Sequence, residues 1–135
     1  MNLEWLDRLA LAALFFAVGV GACWFVNRFI LARTRSKGNQ LPVALSGSPA
    51  ILYFTTPDCA PCKTVQRPAL NELQELLGAG LQVIEVNAVE QSHLASAWGV
   101  LSVPTTFVLD KNGKARHVNH GVARAEKLLD QIKSL

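Results

Sequence analysis

The side chains with the most chemistry to offer in this sequence are two cysteines two residues apart, in Cys59-Ala60-Pro61-Cys62. A thiolate is a strong nucleophile toward sulfur. A second thiol one helical turn away can then attack the mixed disulfide formed at the first, so the spacing suits thiol-disulfide exchange. The pair follows a short apolar run and precedes a stretch of helical periodicity, the context in which C-x-x-C reads as a redox motif. At a helix N-terminus the unpaired N–H groups and the dipole favour an anion, which makes Cys59 the expected nucleophile. Cys62 is then the resolving thiol. Pro61 restricts the turn between them and suits a first helical turn, where a missing N–H costs little. So short a loop gains little entropically from a bridge, and a purely structural staple is the weaker reading. The same two thiolates could instead pass on a soft ion such as Cu(I), whereas zinc usually needs four ligands. His93, His117 and His120 add no metal-ligand spacing. No resident metal or cofactor is expected.

The elements that must hold this pair follow from periodicity. Ala50 to Thr55 is an apolar, β-favouring run that stops at Thr56-Pro57, and it predicts a buried strand. From Ala60 to Leu77, apolar residues at Val65, Ala69, Leu73 and Leu76 predict an amphipathic helix that Gly78 ends. Leu81 to Val86 predicts a second strand, and strand, helix and strand together have the size of a parallel crossover unit. A shorter helix is expected over Gln91 to Trp98, with Trp98 packing the core. Two antiparallel strands, Thr105 to Asp110 and Lys114 to Asn119, flank an Asn112-Gly113 turn signal. Ala123 to Ile132 closes the chain as a helix covering one sheet face.

Upstream of these elements the composition changes. Residues 9 to 26 contain no charge and no proline, enough at about 1.5 Å per residue to cross most of a bilayer, and the helix can continue to Ala32. One arginine precedes this run, whereas Arg28, Arg33, Arg35 and Lys37 lie within or after its C-terminal end, so the positive-inside rule places the downstream domain in the cytoplasm. A cleaved signal peptide would start with basic residues and have a shorter apolar run. Val20-Gly21-Ala22-Cys23 resembles a lipoprotein signal, but Trp24, Phe25 and Val26 continue the apolar run where a mature lipoprotein would turn polar. The expected organisation is a flank over 1–8, a transmembrane helix over 9–32, a basic juxtamembrane linker over 33–49 and a domain over 50–135. A short strand at Leu41 to Leu45 is expected to dock on the domain edge. Residues 41–135 carry eight basic and eight acidic groups, so the domain has no net charge with which to attract nucleic acid.

With Val103-Pro104-Thr105, Lys111-Asn112-Gly113 and Gly121 following the cysteine pair in order, residues 50 to 135 resemble the thioredoxin family. The resemblance implies an α/β thioredoxin-like fold, a mixed sheet flanked by helices, lacking most of the usual first strand and helix. It also implies a cis peptide at Pro104, beside the cysteines, with the Val103 backbone pairing to extended substrate. The implied partners are a disulfide-bearing client protein and an upstream dithiol donor. Departures accompany the likeness. Asp58 stands where the family usually has tryptophan, and its carboxylate opposes thiolate formation. Lys63 is a charge that tunes the site modestly. The family's buried acid falls on Tyr53 and the facing lysine on Glu85, which is either a relocated proton acceptor for Cys62 with its pKa raised by burial or a strand-edge carboxylate in water. Pro68 comes six residues after Cys62, one later than the usual spacing, so a helix kink is expected in an altered register. The activity implied is a membrane-tethered reductase of protein disulfides. An outward-facing relative acting in cytochrome maturation or envelope thiol chemistry is the alternative, since the side of the membrane sets the direction of electron flow.

Overall fold

The computed structural model describes residues 3–35 and 41–135. An N-terminal helix, α1 (Leu3–Arg35), precedes β1 (Ala50–Thr55), a π-helical turn (Cys62–Gln66) that continues into α2 (Arg67–Leu77), and a 3-10 turn (Gly78–Gly80). There follow β2 (Gln82–Asn87), α3 (Ser92–Ala97), β3 (Thr105–Leu109), β4 (Ala115–His120) and α4 (Ala125–Lys133). Downstream of α1, this is the β, α, β, α, β, β, α order that periodicity predicts.

Four strands form one sheet in the order β2-β1-β3-β4. β1 pairs with β2 in parallel and with β3 antiparallel, and β3 pairs antiparallel with β4, so the sheet is mixed. Every residue of β1 is buried, because the strand is central and both sheet faces are covered. On one face, Leu52, Phe54, Trp98 and Phe107 pack under α3, and Trp98 meets Phe107 edge-on with ring centroids 5.1 Å apart. On the other, Ile51, Tyr53, Leu73, Val108 and Leu128 pack under α2 and α4, together with both cysteines. The β3–β4 reversal is a loop in which the Asp110 carboxylate accepts the N–H groups of Asn112 and Lys114 at 3.0 Å each. Gly113 takes a φ of +78° there, and a Cβ would come within 2.7 Å of Leu45. Both the backbone and the packing require glycine at this position.

Trp5–Ala32 is long and apolar enough to cross a membrane, and its most apolar stretch is not buried in the fold. Arg28 lies over the ring of Trp24 at 5.2 Å, a pairing suited to a membrane–water boundary. The last turns of α1 reach the domain, where Ile30 and Leu31 pack against the α3-side core.

One local expectation is corrected. Residues 41–45 form no strand; Leu41 and Leu45 nevertheless dock against the α3-side core. Part of the expected linker, residues 36–40, lies outside the described residues. The Ser46 N–H donates to the Gln82 side chain at 3.1 Å, which in turn donates to Ala44 O at 3.2 Å.

The helix after the cysteines shows how the late proline is accommodated. Pro68 has no N–H to give, and upstream of it the chain widens into a π turn in which Arg67 N–H bonds to Cys62 O, five residues back. The additional residue between Cys62 and Pro68 is absorbed as this bulge, a device that inserts one residue without ending the helix.

Candidate functional site

Cys59 and Cys62 sit where β1 gives way to the helical turn that leads into α2, joined as a disulfide with an S–S distance of 2.00 Å and Cα atoms 5.3 Å apart. Cys59 follows a turn closed by its N–H on Thr56 O at 3.3 Å. The Cys62 N–H, at the start of the helix, donates to Cys59 Sγ at 3.3 Å. That amide puts the positive end of the helix onto the first sulfur, the placement that favours an anion there. Cys59 keeps 8% of its surface exposed and Cys62 none. The first cysteine keeps a small contact with solvent and the second has none.

The loop before β3 closes over the pair. Val103-Pro104 is a cis peptide, as the resemblance implied. Val103 packs against the core cluster that contains both cysteines. Thr105 is fully buried and its hydroxyl donates to Ser102 O at 2.6 Å, while Gly121 N–H donates to Pro104 O at 2.8 Å. The strand register brings these segments to one end of the sheet, since Thr105 is paired with Phe54 near the end of β1 and with His120 at the end of β4.

Of the remaining site residues, Pro61 is exposed and helical, with φ −64°, and Asp58 and Lys63 are exposed beside the disulfide. Glu85 is not in the buried setting expected of an internal proton acceptor. Its side chain is 47% exposed and ion-paired with Arg67 at 2.7 Å, because β2 is an edge strand. The water-facing reading of Glu85 holds. The buried group near Cys62 is Tyr53, whose hydroxyl donates to Cys62 O at 3.4 Å. Burial chiefly, with the Glu85 carboxylate adding to it, pushes the phenol above its ordinary range, against opposing effects of Thr55 and Arg67. Tyr53 therefore stays protonated in ordinary buffers.

Sequence reasoning also missed two exposed apolar residues at this end of the molecule. Leu101, three residues before Pro104, is 85% exposed, and Val89, just past β2, is 67% exposed. They become visible only once the register brings their loops to the disulfide end. No cluster of three or more metal-ligating side chains exists among the described residues.

Comparison with known proteins agrees with this geometry. The thioredoxin family model matches residues 35–134. A chloroplastic thioredoxin Y of rice is 33% identical over 66% of this chain, and the match spans 52% of that relative's own length. A thiol-disulfide oxidoreductase, ResA, of Geobacillus thermodenitrificans is 26% identical over 88% of this chain and 79% of its own. Among solved structures, a mutant thioredoxin from Halobacterium salinarum superposes with a TM-score of 0.58 at 28% identity, over 64% of this chain and 74% of that one. A mixed sheet, a cysteine pair at the head of a helix, a cis-proline loop beside it and a family match over most of the sequence lead to one conclusion: the chain belongs to the thioredoxin family of disulfide oxidoreductases.

Proposed function

We propose that this chain is a membrane-tethered oxidoreductase that reduces disulfides in client proteins, with Cys59 as nucleophile and Cys62 as resolving thiol. The observation that carries this reading is the 3.3 Å hydrogen bond from the Cys62 amide to Cys59 Sγ, on the more accessible of the two cysteines. In the reduced protein the Cys59 thiolate attacks one client sulfur. The client S–S bond breaks, and the departing client thiolate takes up a proton. Cys62 then gives its proton to solvent and attacks Cys59 Sγ. The Cys59–client bond breaks, the Cys59–Cys62 bond forms, and the second client sulfur leaves as a thiolate that takes up a proton from solvent. Two electrons have passed to the client, and a dithiol donor returns them by the same two exchanges. Asp58 and Lys63 flank the nucleophile with opposite charges, both screened by solvent. Val103 offers backbone to an extended client beside Pro104, Thr105 anchors that loop from within, and Leu101 and Val89 favour apolar client segments.

The charge bias around α1 supports a cytoplasmic domain, where the reducing poise favours client reduction. The likeness to ResA supports the same chemistry, and an outward-facing domain is the second reading.

Reduction of insulin by the full chain in detergent tests the activity. Cys59→Ser is expected to fall to background, and Cys62→Ser to accumulate a covalent adduct through Cys59. Equal activity of wild type and Cys59→Ser sinks the reading, as would stoichiometric thiolate-bound copper in reduced protein with no turnover. Protease accessibility in intact cells and spheroplasts reads out the side of the membrane.

A further inference from the structure

The resolving step makes a demand that the residues named so far do not meet. Cys62 must give up a proton in order to attack, and it leaves as a thiolate again when a donor opens the Cys59–Cys62 bond. It does both with none of its surface exposed to water. A charged sulfur buried without a hydrogen-bond donor is strongly disfavoured. Among the described residues no carboxylate, lysine, arginine or histidine is buried, and apart from the two cysteines the one buried ionisable side chain is Tyr53. Its ring lies in the same core cluster as both cysteines, and its hydroxyl already reaches the backbone of Cys62.

We propose that Tyr53 is a positioning residue for the resolving step: its hydroxyl supplies the internal hydrogen bond that lets Cys62 exist as a thiolate inside the protein. The proposal rests on the reading of Cys62 as the resolving thiol. In the oxidised protein the phenol O–H is parked on Cys62 O, a long bond at 3.4 Å. When the disulfide opens, the same O–H turns to the sulfur of the same residue. No proton changes hands with the phenol, which remains a donor. The π turn supports this arrangement, since it directs the Arg67 N–H to Cys62 O and leaves that carbonyl a partner when the phenol turns away.

Another buried hydroxyl, that of Thr55 on β1, bonds with Tyr53 and also reaches Thr56 O at 3.4 Å. From β3 and α4 the neighbouring residues are Val108 and Leu128, both apolar and fully buried. Charge comes from Glu85 on β2 and Arg67 on α2, whose ion pair is half in water, and from Asp58 and Lys63 on the exposed turn. None of these four is buried.

The test uses the full chain in detergent, reduced, with the Cβ resonances of both cysteines followed by NMR against pH. Tyr53→Phe keeps the ring and removes the hydroxyl. The expected result is a Cys62 titration displaced upward by about one pH unit, a Cys59 titration left in place, and a mixed disulfide with insulin that persists about tenfold longer. Unchanged titration of Cys62, or an equal displacement of both cysteines, would overturn the proposal. If Tyr53→Phe unfolds, a ring-fluorinated tyrosine at position 53 retains shape and sharpens the donor, and it must displace the Cys62 titration downward; no displacement overturns the proposal equally. Failure of the parent reading is separate, because it shows as wild-type protein that forms no mixed disulfide at all.

Discussion

Tyr53 and Glu85 are register partners on adjacent parallel strands, yet the first is fully buried and the second is half in water and paired with Arg67. One position along the sheet separates the interior of the redox site from its solvent boundary. The difference arises from sheet order, since β1 is central and β2 is an edge.

An exposed ion pair contributes little. Glu85→Gln is expected to change stability by no more than about 1 kcal/mol and to leave insulin reduction within about twofold of wild type. Chemical denaturation and the reduction assay check both. A large loss of turnover would return Glu85 to the mechanism.

Gln66 is a different case, because it is fully buried and bonds both ways to one residue of the loop before α4. It donates to Ala123 O at 3.0 Å and accepts from Ala123 N at 2.8 Å. Gln66→Leu strands both backbone groups away from water and is expected to cost about 2–4 kcal/mol. Urea denaturation reads this directly, and a loss under about 1 kcal/mol would show that water replaces the amide.

His117 should impose a pH dependence on stability. Burial, and then the Arg116 cation beside it, hold its imidazole below the usual range. In the unfolded chain it takes up a proton near pH 6.5, whereas in the folded chain it does so only at lower pH. The unfolded state thus binds more protons between those two points, and its contribution to stability falls as pH drops through that window. Melting temperature measured from pH 7.5 to 5 is expected to decline less steeply in His117→Gln than in wild type.

Leu101 is exposed, so its substitution tests client binding apart from folding. Leu101→Arg is expected to leave the melting temperature unchanged and to raise the KM for an apolar client by about tenfold, the scale of one buried leucine side chain. An unaltered KM would remove this residue from the docking surface.

Much of the scaffold could be read from local pattern. Ala50 to Thr55 announced a buried strand because a run buried on both faces leaves no polar positions, and Asn112-Gly113 announced the reversal between β3 and β4. The cysteine pair was legible for the same reason, since its chemistry depends on a spacing of a few residues. What escaped was non-local. The edge position of β2, and with it the exposure of Glu85, depends on which strands pair. The π turn reflects how the helix accommodates Pro68 over the cysteines. The strand expected at 41–45 did not form, although the apolar residues that suggested it, Leu41 and Leu45, did find the core.

The contact of Ile30 and Leu31 with the α3-side core bears on how this protein can be handled. The N-terminal helix and the catalytic domain share a wall, so trimming the chain just after residue 32 would uncover apolar surface near Trp98 and Gly99 rather than release a clean module. With α1 in a bilayer, as proposed, the swing of the redox head would be that of a hinged door rather than a ball on a string.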